Sequence, residues 1–552
     1  MLSLLLVGCA GVMVVGAPVA TDPPPPSVSF DLDPDPMVFE AELVAAPTRW
    51  STGVTDIEGL AYNGTVPGPE IRVPVGARVL IHFRSELADH TTIHWHGIEG
   101  NNAADGTAVT QVGVQAGEGF TYDFVVTRPG IFWYHPHAHG AQGVFEGLYG
   151  ALIVEDPDEA TLIASGVLPA DDRTLVLSDL SEFGGTPWSV EVDNAMEVMN
   201  GTEGRRLLVN GQESPTLDVP AGGAVRLRLL NTSITRFWRL SVPGATLYRV
   251  GGQGGLLDAV RVEGGAVSAE QSRLSTGEPI GSTQVDLGYA RGEILLAPAE
   301  RADVVLVAEG APGDLLPLRW EDFARGRHTM WMEGEVMVMG DAEDDGLRPG
   351  VDAAFFRLVD APAGGWSGSE GSPVLRSVGR SVERLPAEGA LDWSGAAAMV
   401  FSETMDMFQD ADGIWQMSTE LFVDGDSWMA SHEAGPTQPA ASTAVVARLG
   451  DTIDWEFRNE SHMAHPLHLH GFSFQPLSWR QADEEGDTVA TWAVVDAEFV
   501  DTVMLPGESS LFARVRLDDP VGSGGGAGRW MRHCHILQHG EAGMMSELVV
   551  SP

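Results

Sequence analysis

Three stretches of the chain alternate apolar and polar residues in the same order, each after a glycine turn and most through a proline. The first runs from Tyr62-Asn63-Gly64 through Pro69, Ile71, Val73, Gly76 and Val79 to Phe83. The second runs from Val209-Asn210-Gly211 through Pro215, Leu217, Val219, Gly222 and Val225 to Leu229. The third opens at Val423-Asp424-Gly425, is interrupted by an insertion, and resumes at Val446, Leu449, Gly450, Ile453 and Trp455. Apolar residues at every second position place one face of a strand in a core and the other in water. The turns ahead of them fit hairpin chemistry. A second echo follows at Gly117-Glu118, Ala299-Glu300 and Gly507-Glu508, and the units are expected to close on strands at Leu148 to Glu155, Glu335 to Met339 and Ser546 to Val550. Repeats at this spacing mean duplicated domains, not a solenoid. No long helical period competes with them, so the predicted class is an all-β Greek-key sandwich, written three times.

The length of 552 residues agrees, because one core does not grow that large. Connections rich in Asp, Pro and Gly divide the chain into a first unit at 27–157, a second at 170–342, a linker at 343–390 and a third unit at 391–552. Residues 1–26 read as an apolar export signal followed by the run Pro23 to Pro26, so the mature protein is expected in the periplasm, outside the cell or anchored to the envelope. Leu6-Val7-Gly8-Cys9 matches a lipoprotein cleavage box, with lipid on Cys9; ordinary cleavage after Ala17 or Ala20 is the alternative. No basic residue precedes the apolar run, which leaves room for a start further upstream.

The formal charge of -46 and a basic complement made wholly of Arg disfavour nucleic acid and anionic membranes as partners. A diffuse acidic surface requires no ligand. The two cysteines, Cys9 and Cys534, leave the mature chain without an internal disulfide.

Chemistry concentrates in Arg532-His533-Cys534-His535-Ile536-Leu537-Gln538-His539-Gly540-Glu541-Ala542-Gly543-Met544. A strand continued over 529–537 would send Cys534 to one face and both flanking histidines to the other, so one strand would serve two metal sites. A thiolate, two imidazoles and a weak thioether make the blue-copper electron-transfer set. Cys534, His539 and Met544 supply three of these, and the second imidazole must come from elsewhere. Each remaining cluster contains His-x-His: His94-Trp95-His96-Gly97, His135-Pro136-His137-Ala138-His139 and His465-Pro466-Leu467-His468-Leu469-His470. No histidine lies between His139 and His328, so the middle unit is expected to hold no copper. The pairs meet only if the first and last units pack together.

Taken in order, these four motifs resemble the three-domain multicopper oxidases: laccases, bacterial cuprous oxidases and bilirubin oxidases. The resemblance spans essentially the whole mature chain. It implies three cupredoxin domains and four copper ions, one type 1, one type 2 and two type 3. By position, the type 1 ion takes His465, Cys534, His539 and Met544. The type 2 ion takes His94 and His468, and the type 3 pair takes His96, His135, His137, His470, His533 and His535. An electron donor and dioxygen are the implied partners, with electrons passing from Cys534 to its neighbouring histidines and dioxygen leaving as water. Asp105 and Glu541 match acidic positions that move protons in the family, although many relatives carry an acid where this chain has Gly540. Asp105-Gly106 also reads as a plain turn.

The non-enzymatic reading, a cupredoxin scaffold of the cell envelope, conflicts with the full set of ligand positions. A two-domain nitrite reductase would lack the four His-x-His pairs. Laccase-like oxidation of phenolic or aromatic donors, needing little beyond access to the edge of His465, is expected ahead of cuprous, ferrous or manganous oxidation. Met463 and the Met405, Asp406, Met407, Asp410 and Asp412 segment speak for metal ions, but the long methionine-rich insertion of cuprous oxidases is missing. A monomer is the expected state.

Overall fold

A computed structural model describes residues 30–552, apart from 191–194, 273–278, 327–328, 334–335, 341–346, 361–365, 373–395, 410–414, 484–486, 495–497 and 523. The export segment with Cys9, Asp410 and Asp412, and much of the expected linker, lie outside these residues.

The alternation becomes sandwich. In Arg78–Ser85, Val79, Ile81 and Phe83 are buried while Arg78 and Arg84 face water. They pack with Tyr122 and Phe124 of Gly119–Val125, the antiparallel neighbour, in the first core. Asn63, Asn210 and Asp424 take left-handed backbone, each before a glycine that does the same, which is the two-residue hairpin turn the three openings call for.

Each unit carries two parallel pairings in otherwise antiparallel sheets. In the first, Val38–Ser51 runs parallel to Arg78–Ser85, and Ile71–Pro74 to Gly150–Glu155. In the second the equivalents are Asp172–Leu180 with Ala224–Asn231, and Thr216–Pro220 with Val351–Val359. In the third they are Ala397–Gln409 with Thr452–Asn459, and Val445–Arg448 with Met545–Ser551. Antiparallel neighbours can be joined by tight turns, whereas each parallel pair needs a long return. The chain is therefore one cupredoxin-like sandwich repeated three times, each with its own core.

One boundary differs from expectation. The strand that closes the second unit is Val351–Val359, not the one expected near Glu335 to Met339, so this unit runs past 342 and into the expected 343–390 linker. Residues Thr329–Glu333 and Val336–Gly340 instead pair with each other as a separate hairpin. Both runs are largely apolar, and an apolar run alone does not say which partner a strand will find. The second unit also reaches into the third: Ala266–Ser272 pairs with Thr488–Ala493, extending that sheet to eight strands.

Candidate metal centre

Two strands of the third unit set the register of the centre. His465–Leu469 lies antiparallel to Gly528–Cys534, with Leu467 opposite Cys534 and His468 opposite His533. The strand expected over 529–537 ends earlier, at Cys534. The chain then turns into a short helix, Leu537–Glu541, whose first turn lets the His539 N–H reach the carbonyl of Ile536. That curl brings His539 back to Cys534, which an extended chain would not do.

The alternation around Cys534 divides the candidate ligands. Cys534 Sγ lies 3.5 Å from His465 Nδ1 and 3.6 Å from His539 Nδ1, and the two nitrogens are 3.2 Å apart. All three side chains and Met544 are fully buried. The outer nitrogens are held by the protein: His465 Nε2 meets Ser461 Oγ at 2.9 Å, and His539 Nε2 donates to the Met199 carbonyl at 3.2 Å. Such outer hydrogen bonds fix ring orientation in metal sites. Burial holds His539 neutral, down at about 3, with the Arg325 guanidinium acting in the same direction. Burial also pushes the Cys534 thiol up, against the Ile536 N–H and Arg325. A bound cation would therefore have to displace the thiol proton.

On the opposite side, His533 and His535 join the histidines of the first unit. His96 stacks on His468 with ring centroids 3.8 Å apart, and His94 lies 4.0 Å from His470. His470 Nε2 and His533 Nε2 are 3.0 Å apart. Donor atoms within 4.8 Å of one another occur in His94/His96/His135, in His94/His468/His470 and in His137/His470/His533.

The donor chemistry fits copper. His94 Nδ1 is engaged by the Asp105 carbonyl, His135 Nδ1 by the Pro136 carbonyl and His468 Nδ1 by the Asp501 carbonyl. Their Nε2 atoms are buried without a protein partner, as are His96 Nδ1 and both ring nitrogens of His535. An unsatisfied buried polar atom costs about 1–3 kcal/mol, so this many in one place calls for an ion. Burial holds the His533 ring down at about 4 and pushes His96, His135, His137, His468, His470 and His535 well below the ordinary imidazole range. Neutral imidazole is the form a metal takes.

Asp105 does more than turn the chain. Gly106 takes φ +76°, and a Cβ there would stand 1.7 Å from the Ile93 carbonyl oxygen, so the turn is real. The Asp105 carboxylate nevertheless lies 3.2 Å from His470 Nδ1 and 3.4 Å from His94 Nδ1. Glu541 is half-buried beside the cluster and accepts the Ala141 N–H at 3.0 Å. Burial holds its carboxyl above the usual range, against the N–H groups of Ala141 and Gly140. It shares a cavity of about 260 Å³ with His137, His139, His432 and His533.

The edge of His465, expected to be within a donor's reach, is wholly buried and faces Phe401 at 5.8 Å. Met463 is buried too, its sulfur 3.1 Å from Arg325 Nη1.

Sequence reasoning missed the residues that bind the three units together here. Asp501 Oδ1 lies 2.9 Å from His96 Nε2, and both carboxylate oxygens accept from Arg301, each at 2.6 Å. Gln253 Oε1 accepts the N–H groups of Asp501 and Thr502, both at 3.0 Å. The legible signal was Asp501 itself, one carboxylate in the apolar run Phe499-Val500-Asp501-Thr502-Val503, because acids are rarely buried unpaired. Arg325 and Met199, which close over Cys534 and His539, lie in no motif.

The repeated sandwiches and a cysteine-histidine site backed by a histidine cluster define a copper-dependent oxidoreductase of cupredoxin architecture. Models of the multicopper oxidase family match residues 44–159 and 414–552. The chain is 26% identical to multicopper oxidase MmcO of Mycobacterium tuberculosis, over 92% of this chain and 86% of that protein. It is 25% identical to laccase-1 of Botryotinia fuckeliana, covering 92% and 81%, and 25% identical to copper resistance protein A of Escherichia coli, covering 92% of each. Among solved structures, a multi-copper oxidase from Pseudomonas thermotolerans superposes with TM-score 0.62 at 26% identity, covering 93% of this chain and 99% of that one. A multicopper oxidase from Campylobacter jejuni, described as a metallo-oxidase, shares the fold with TM-score 0.67 at 22% identity, covering 95% and 93%. The chain belongs to the multicopper oxidase family, whose members oxidise a donor at the expense of dioxygen.

Proposed function

We propose that the protein is a laccase-like oxidase that takes single electrons from phenolic or aromatic donors at the site of His465, Cys534, His539 and Met544. Dioxygen is reduced to water at the cluster, with His94 and His468 holding a type 2 ion and His96, His135, His137, His470, His533 and His535 a type 3 pair. When bound, copper supplies the one-electron redox chemistry, and four ions per chain are expected. The observation that carries the reading is the placement of Cys534: its sulfur belongs to one site while its peptide neighbours, His533 and His535, belong to the other.

The chain's own groups have distinct tasks. Phe401, Met463 and Met199 surround the cysteine site and keep water from it. Asp105 orients His470 and is placed to pass protons into the cluster, and Glu541 does so from the cavity side. Organic donors are favoured over metal ions because the Met463 sulfur, the candidate soft ligand next to His465, is occupied by Arg325. The apolar leader supports export, and Cys9→Ala would release the protein from membranes if a lipid anchors it. A monomer is the proposed state.

Copper analysis together with oxygen uptake tests this reading. Near four copper ions per chain and faster uptake with a phenol than with cuprous, ferrous or manganous ion are expected. A copper-free chain would defeat the oxidase reading, and a clear preference for cuprous ion would defeat the substrate assignment.

A further inference from the structure

Of the histidines outside the twelve proposed ligands, three stand together. The rings of His90 and His139 have centroids 4.9 Å apart, and those of His90 and His432 lie 6.0 Å apart. The proposed ligand pair His465 and His539, whose Nδ1 atoms lie 3.2 Å apart, has centroids 5.1 Å apart, close to the spacing of His90 and His139. His432 in turn stands 6.2 Å from the ring of His137, the next step inward.

Two of the three are held in a way packing alone does not require. His432 Nε2 donates to the His137 carbonyl at 2.7 Å, which leaves Nδ1 as the lone-pair nitrogen, and that atom is buried without a protein partner. The insertion that interrupts the third repeat carries His432. Its carbonyl accepts the Gly113 N–H at 3.0 Å, which ties the insertion to the first unit beside His90. His139 takes φ +52°, a left-handed conformation uncommon for a side-chain-bearing residue. Its ring remains exposed at the cavity mouth. Met429, Met531 and Met545 line the same cavity, and Met429 is 66% exposed.

We propose that His90, His139 and His432, with the Met429 thioether, form a docking site for a cuprous ion at the mouth of the cavity above the histidine cluster, through which copper reaches the cluster. Imidazole and thioether together suit Cu(I), whereas hard cations prefer oxygen. A proton relay would use the imidazoles and have no need of thioether sulfur. The loading role rests on the reading of His137 and its partners as copper ligands; the docking site itself does not.

The test uses protein already loaded with copper, its blue absorbance recorded first, and silver ion as a redox-inert stand-in for Cu(I). Equilibrium dialysis is expected to show one tight silver ion per chain. His90→Gln/His139→Gln should weaken it at least about tenfold, with a smaller loss in Met429→Leu. His139→Gln alone, altering an exposed ring, guards against misfolding of the double variant and should already weaken binding. Exchange of isotopically labelled cuprous ion into the loaded protein should slow to a similar degree. Absence of the tight silver ion, or equal affinity in wild type and variants, overturns the docking site. Unchanged exchange with weakened silver binding overturns the loading route. A chain that takes silver here yet holds no cluster copper would sink the oxidase reading and leave the docking site standing.

Discussion

Cys534 serves both sites, so its replacement separates them. Cys534→Ser removes the thiolate, and with it the intense visible absorption and donor oxidation, while the histidines on the other side keep their register opposite His468. A variant that stays blue would place the thiolate elsewhere. The potential of the cysteine site responds to two neighbours. Met544 is fully buried and its carbonyl accepts the Cys534 N–H at 3.1 Å; if its thioether is the weak fourth donor proposed, it would favour the oxidised ion, and redox titration of Met544→Leu should show the potential rise. Arg325 acts the other way. Its guanidinium is held by Met463 Sδ at 3.1 Å, by the Asn200 carbonyl at 2.6 Å and by Glu203 at 3.0 Å, so a fixed positive charge stands beside the site and favours the reduced ion. Arg325→Gln should lower the potential by on the order of 50 mV, the effect of a partly screened charge at close range. No change would mean that Glu203 already cancels it.

At the scale of elements, the short helix Ala195–Asn200 closes over His539 through the Met199 carbonyl, and Ala297 to Arg301 links the second unit to the first through Ile131 and to the third through Met504. Glu300 in that link is half-buried, accepting the N–H groups of Ala297 at 2.8 Å and Met504 at 3.0 Å. Burial outweighs these donors and Arg249, and its carboxyl is pushed up to about 7 from 4.5. The folded chain therefore holds a proton that the unfolded chain has already lost between these values, and stability falls as pH rises through that window. Unfolding in denaturant from pH 4.5 to 7.5 should show a shallower fall for Glu300→Gln than for wild type; parallel curves would remove Glu300 as the cause.

Elements of this kind were unevenly legible. Val79, Ile81 and Phe83 announced their strand because period-two burial is written locally, and the His-x-His pairs announced the buried histidine cluster because two imidazoles on one face have few other uses. Val351–Val359 did not announce itself as the closing strand, since its partner Thr216–Pro220 lies far back in the chain and pairing is a tertiary choice. Asp501 and Arg301 were invisible for the same reason: each is ordinary alone, and only the fold sets one against the other.

For the whole molecule, 78 acidic residues against 32 arginines set up self-repulsion that the many Arg-carboxylate pairs offset only in part. Added salt screens the long-range repulsion more than the buried pairs, so the thermal midpoint should rise between about 0.05 and 1 M sodium chloride. A falling midpoint would show that surface ion pairs outweigh the net charge.

The middle unit, which contributes none of the proposed ligands, clamps both sites from outside. Arg301 neutralises Asp501 behind His96, Gln253 caps the peptide groups of Asp501 and Thr502, and the Met199 carbonyl holds His539. A shortened chain that splices the first unit to the third would keep every proposed copper ligand and still be a poor catalyst. It would leave a buried carboxylate without its counter-charge and an imidazole free to rotate. The ligand-free third of the protein is thus what a miniaturised oxidase would have to replace.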